Sequence, residues 1–193
     1  MGESILLSDS VQDDPVILIS HWVMEIAVVI MLGLFVTNYV GSLATVSGRS
    51  MEDTLYVGDV VLVNRMIVKI SSPKRKDVIL YEKTNGEKDV KRIIGLPGER
   101  IRIVQGQILI NDELLDDLRD TQVFVPGLAA GEITLGKDEY FLLGDWVEGS
   151  LDSRFAEIGN IKREQILGRI WFCISPMDHI GWVEEPETEE TEK

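Results

Sequence analysis

Residues 77–94 read Asp-Val-Ile-Leu-Tyr-Glu-Lys-Thr-Asn-Gly-Glu-Lys-Asp-Val-Lys-Arg-Ile-Ile. Two β-prone runs flank Asn85-Gly86, and Asn-Gly in that setting is the strongest short-range signal for a β-hairpin. Working outward, Arg100-Ile101-Arg102-Ile103-Val104 alternates polar and apolar residues, and Gln105-Gly106 turns it into Gln107-Ile108-Leu109-Ile110, a second hairpin. Val57-Gly58-Asp59 leads into the short apolar run Val60-Val61-Leu62-Val63, and Tyr140-Phe141-Leu142-Leu143 and residues 166–172 complete the set. Short strands with Gly-rich turns predict a mainly β domain, an antiparallel barrel or folded sheets, over residues 43–183. Residues 112–138 break the rhythm and read as an irregular insertion.

On the N-terminal side, residues 26–48 carry no charge, and residues 26–40 are strongly apolar. A bilayer core takes about 20 mostly apolar residues in a helix. Trp22 and Tyr39 stand where interfacial aromatics stand, so residues 22–42 are expected to form one transmembrane helix after an N-terminal segment of residues 1–21, with Glu25 near one interface. A cleavable signal peptide ending at Ser42-Leu43-Ala44 is the competing reading; against it, the apolar stretch is too long and residues 1–25 hold no Lys or Arg. A buried core helix is disfavoured by length. Arg49 and Arg65 follow the helix, so the positive-inside rule alone would leave the domain in the cytoplasm. Long domains translocate regardless of charge, so this count does not fix the orientation.

The formal net charge is −14, which argues against nucleic-acid binding. Much of the acid lies in residues 184–193, expected to be a solvated tail without structure. The single cysteine, Cys173, forms no intramolecular disulfide and reads as a small buried hydrophobe in a strand. Only His21 and His179 are present, far apart, so a histidine triad or zinc site is not expected. Ser71-Ser72-Pro73-Lys74 has Ser-x-x-Lys spacing, but Pro73 argues against the helical turn that motif needs.

A serine peptidase without histidine needs another base. Lysine serves if burial makes the ammonium form costly, because its ordinary pKa is about 10.4. Ser–Lys pairs are a known variant of triad logic. Lys91 sits in an apolar strand, on the same face as Ile93. Taken alone it would be an ordinary solvated lysine.

Three motifs change that. Val46-Ser47-Gly48-Arg49-Ser50-Met51-Glu52-Asp53-Thr54-Leu55, Lys91-Arg92-Ile93-Ile94-Gly95-Leu96-Pro97-Gly98-Glu99, and Gly144-Asp145 followed by Ser150-Leu151-Asp152-Ser153-Arg154-Phe155 resemble, in order, the three signatures of type I signal peptidases. The resemblance covers about residues 20 to 175 and implies a β catalytic domain of signal-peptidase type behind the membrane helix. It implies Ser50 as nucleophile, its N–H helping to hold the oxyanion, and Lys91 as general base. Gly48 stands where some members carry an assisting serine hydroxyl. Ser150 is implied to orient the lysine amine, Asp152 and Arg154 to form a supporting ion pair, and Met51 to contact the substrate.

The implied reaction removes N-terminal signal peptides from exported preproteins through an acyl-enzyme, with no cofactor or metal and with small residues preferred at the first and third positions before the cut. The implied partners are signal peptides and the lipid bilayer, with no nucleic acid. The implied location is the plasma membrane, single-pass, with the catalytic domain on the extracytoplasmic side. Asp53, Trp146 and Val147 depart from the family pattern, and Asp53 introduces a negative charge that could favour a protonated Lys91. The alternatives are a weak or inactive relative acting as a membrane-anchored peptide-binding module, a soluble self-cleaving repressor, which the anchor and acidity oppose, and a structural tethered β domain, which leaves the motifs as coincidence.

Overall fold

The structure, a computed structural model, describes residues 15–35, 41–115 and 122–183. The chain divides into two compact units, residues 1–40 and 41–193. In the first, α1 (Pro15–Phe35) is apolar apart from Ser20, His21 and Glu25, and Pro15 suits a first helical position because its φ is preset and its missing N–H would go unused there. By length and composition, α1 could cross a membrane.

The expected span at residues 22–42 is corrected. The helix starts at Pro15, and Ser42 already belongs to a strand. One glutamate does not end a helix, since Glu is a good helix former, and Val16-Ile17-Leu18-Ile19 continues the apolar surface ahead of it. Glu25 therefore lies at the centre of α1 rather than near its end. Tyr39 and the acidic tail fall outside the described residues.

The second unit is built on antiparallel strands. They are β1 (Ser42–Thr45), β2 (Val60–Asn64), β3 (Val78–Glu82), β4 (Lys88–Gly95), β5 (Arg100–Val104), β6 (Gln107–Ile110), β7 (Glu113–Leu114), β8 (Ile133–Thr134), β9 (Glu139–Leu143), β10 (Ile161–Lys162), β11 (Ile166–Ser175) and β12 (Gly181–Trp182). The larger sheet runs β1-β2-β11-β3-β4-β9-β10, with β12 paired to β11, and the smaller runs β7-β6-β5-β8.

Both expected hairpins form. β3 and β4 pair from Val78↔Arg92 to Glu82↔Lys88, and Gly86 takes φ +84° in the turn. β5 and β6 pair from Ile101↔Ile110 to Val104↔Gln107, with Gln105 and Gly106 both at positive φ, as a primed two-residue turn requires.

The stretch expected to be irregular contributes more than that. It supplies β7 and β8, and Val123, Ala129 and Leu135 from it are buried in a core with Ile94, Ile101, Ile103 and Phe141. Two-residue strands are too short to show a period, which is why the alternation missed them.

β4 positions the site. It is flanked by β3 and β9 and buried without alternation from Val90 to its end. A strand covered on both faces is usually a continuous apolar run. Here it includes Lys91 and Arg92, 1% and 2% exposed. Cys173 is buried in β11, as a small hydrophobe would be.

Candidate active site

Ser50 sits in a turn between β1 and β2. The loop is closed at its base by Val46 N–H to Asp59 O (2.9 Å) and Gly58 N–H to Val46 O (2.8 Å). Leu55 N–H donates to Met51 O at 2.6 Å, and Met51 and Leu55 are buried in a core with Val46 and Val61. From the other side, Trp146 N–H donates to Ser50 O at 3.1 Å, which ties the turn to the segment after β9.

Lys91 meets Ser50 there. Its Nζ donates to Ser50 Oγ at 2.6 Å, and Ser50 is 8% exposed. Burial pushes the lysine amine below its usual range, against Asp89 and Asp152, which pull it up, while Lys83 adds to the lowering. A hydroxyl against a buried amine of lowered proton affinity can be deprotonated as it attacks a carbonyl.

The other implied residues are placed as follows. Asp152 and Arg154 form the expected pair, Nε to Oδ1 at 2.8 Å and Nη2 to Oδ2 at 2.9 Å, both fully buried. Asp152 also accepts the Gly144 N–H at 3.3 Å. Ser150 is buried, and its Oγ has no hydrogen-bond partner among the described residues. Gly48 has room for a Cβ, which would lie in ordinary van der Waals contact 3.9 Å from Ser50 Oγ and 3.9 Å from Asp89 Oδ1. Met51 is fully buried and lines a cleft beside Ser50.

Asp53 is exposed and is not among the charges that move Lys91, so the expected influence falls to a different acid. That acid is Asp89, whose Oδ2 accepts from Lys91 Nζ at 3.0 Å. Sequence reasoning passed over it, although the spacing i, i+2 on one strand puts Asp89 on the lysine's face. Arg92 was likewise given no role, yet a buried cation on a strand requires an anionic partner, and it has Asp145.

Two clefts open at Ser50. One, of about 220 Å³, is lined by Ala44, Val46, Met51, Leu80 and Val90; the other, of about 530 Å³, passes Gly48, Arg49, Lys83, Lys91 and Leu151. Asp89 borders both. The Ser-x-x-Lys match is set aside, since Ser71 Oγ donates to Ile67 O and both Ser71 and Lys74 are exposed. His179 pairs with Asp59.

The site thus belongs to a hydrolase-like β domain with a serine and an amine in contact, and the comparisons give its class. A family model described as signal peptidase, peptidase S26, matches residues 19–175. The chain is 36% identical over 174 residues to signal peptidase I of Bacillus caldolyticus, covering 83% of this chain and 92% of that one. It is 28% identical over 159 residues to a probable signal peptidase I-2 of Synechocystis sp., covering 79% and 71%. A solved signal peptidase I from Enterococcus faecalis V583 is 27% identical, with a TM-score of 0.42, covering 52% of this chain and 97% of that one. The chain belongs to the signal peptidase S26 family of serine peptidases.

Proposed function

We propose that this chain is a membrane-anchored endopeptidase that removes signal peptides from exported preproteins with a Ser50–Lys91 dyad. The observation that carries the reading is the buried 2.6 Å contact between Ser50 Oγ and Lys91 Nζ. α1 is the single-pass anchor, and the catalytic domain stands on the extracytoplasmic side, where exported chains emerge.

The substrate binds extended, adding to strand edges near Ser50, and a small side chain enters the cleft of about 220 Å³ on its side lined by Ala44, Val46, Met51 and Leu80. Neutral Lys91 takes the Ser50 proton as Oγ adds to the scissile carbonyl. The oxyanion is held by the Ser50 N–H, with no side-chain donor from Gly48. Protonated Lys91 then gives its proton to the departing amine, leaving an ester on Ser50. A water, deprotonated by Lys91, hydrolyses that ester and restores the hydroxyl. Asp152 and Arg154 hold the segment that backs the serine turn.

The alternative, a weak relative that binds peptides, draws support from Asp89, whose carboxylate favours the protonated amine. Cleavage of a model preprotein by the full chain in detergent, beside Ser50→Ala and Lys91→Ala, separates the two. Cleavage after a small residue that both substitutions abolish supports the peptidase. Cleavage that survives either substitution removes the site assignment, and peptide binding without cleavage favours the binding module.

A further inference from the structure

Among the described residues the Lys91 amine has three acceptors in reach: Ser50 Oγ at 2.6 Å, Asp89 Oδ2 at 3.0 Å and the Val90 carbonyl at 3.3 Å. An ammonium group has three N–H bonds and satisfies all of them. A neutral amine has two, and keeps a lone pair. When those two stay on Asp89 and Val90, the lone pair faces Ser50 Oγ, where a base must take its proton. The Asp89 carboxylate is itself held in place. Its Oδ1 accepts the Val90 N–H at 2.8 Å, its Oδ2 meets Lys83 Nζ at 3.3 Å, and its side chain is 17% exposed.

We propose that Asp89 is the positioning residue of the dyad: its carboxylate aims the Lys91 amine at Ser50, and its charge governs how basic the medium must be before that amine is free. The inference rests on the Ser50–Lys91 reaction proposed above and gives Asp89 the orienting part that the resemblance assigns to Ser150.

The charged and titratable groups facing the amine come from several elements. Asp89 lies on β4 itself. Lys83, just past the end of β3, opposes protonation and has Glu87 at 3.7 Å. Asp152, from the segment after β9, favours protonation and is held by Arg154. Tyr81 on β3 stands across from Asp89; its phenol is pushed well above its usual range by burial, then by Asp89 and Asp152, so it stays neutral. Among the charges that favour a protonated Lys91, Asp89 is foremost. Asparagine keeps an acceptor and drops the charge, so the amine stays aimed and loses its proton more readily. Alanine drops both.

The test uses the full chain in detergent with ¹³C at lysine Cε, the Lys91 signal being identified by its loss in Lys91→Met. In Asp89→Asn the Lys91 signal titrates at a pH lower by about half a unit or more. The ascending limb of kcat/KM for a model preprotein moves with it, and plateau kcat falls far less than in Asp89→Ala. Asp89→Ala shares the shift in titration but loses plateau kcat on the order of tenfold or more, with KM little changed. An unmoved Lys91 titration in Asp89→Asn overturns the proposal, as does full plateau kcat in Asp89→Ala. Because the titration needs no turnover, it still reads Asp89 if the unsubstituted protein cleaves nothing, an outcome that counts against the proposed reaction alone.

Discussion

Arg92 grips Asp145 with two hydrogen bonds, Nε to Oδ1 at 2.8 Å and Nη2 to Oδ2 at 2.7 Å. Arg92 also donates to Thr54 Oγ1 at 3.1 Å and to Lys76 O at 2.8 Å, and Thr54 shares Asp145 Oδ2. Thr54 belongs to the serine turn, and Asp145 directly precedes Trp146, whose N–H holds Ser50 O. The residue after the lysine thus fastens the serine turn and the third signature to the same strand.

Asp145→Ala strands a buried guanidinium. Removing one partner of such a pair costs about 3–5 kcal/mol, whereas replacing both by apolar groups is often neutral. The expected result in equilibrium unfolding is a large loss for Asp145→Ala and recovery of most of it in Arg92→Met/Asp145→Leu. Equal losses in the single and double variants would show that the pair is not what holds the turn.

Gly144 has no room for a side chain, because a Cβ would collide with the Ser50 carbonyl and the Ser150 hydroxyl. The Ser50 carbonyl is backbone, so the nucleophile must move. Gly144→Ala is expected to lower kcat on the order of a hundredfold, while overpacking costs only about 1–3 kcal/mol of stability. Kinetics and thermal unfolding measured together decide it; unaltered kcat would mean that the turn yields without displacing Ser50 Oγ.

His179 Nδ1 lies 3.0 Å from Asp59 Oδ1, with its ring 4.8 Å from that of Tyr56. The hydrogen bond to Asp59 raises the imidazole above its ordinary value of about 6.5. A raised folded-state pKa contributes stability that is fully present below the unfolded value and is lost as pH rises through the folded one. Asp59 also closes the loop that carries Ser50. In His179→Gln the melting temperature should fall furthest behind the unsubstituted protein near pH 6, and the gap should narrow toward pH 9. A gap constant across that range would remove the ion pair as its cause.

Legibility followed element length and the source of each signal. β3 through β6 were readable because each spans several residues and their turns carry Asn85-Gly86 and Gln105-Gly106. β1 was hidden because its four residues continue an uncharged stretch that reads as helix, and β7, β8, β10 and β12 have only two residues each. At the site, Ser50 and Lys91 came from ordered motifs; no periodicity marks a buried lysine. Asp89 lies just outside those motifs, and only the pleat of β4 relates it to Lys91. Arg92 and Asp145 lay within them, but the motifs say nothing of their pairing, a contact across 53 positions.

Arg154 supplies the prediction that runs opposite to Asp89→Asn. Besides pairing with Asp152, it donates to the carbonyls of Val125 (3.0 Å), Val147 (2.6 Å) and Ser150 (3.2 Å). Lysine, without a planar fork, cannot cover that set. Arg154→Met leaves Asp152 buried without its cation, so stability should fall by about 3–5 kcal/mol. Asp152 is also one of the charges that favour a protonated Lys91. Freed from Arg154, it should pull harder, and the ascending limb of kcat/KM should move to higher pH, where Asp89→Asn moves it lower. A limb that stayed in place, in a variant still folded at the assay temperature, would mean that Asp152 acts on the site through packing alone.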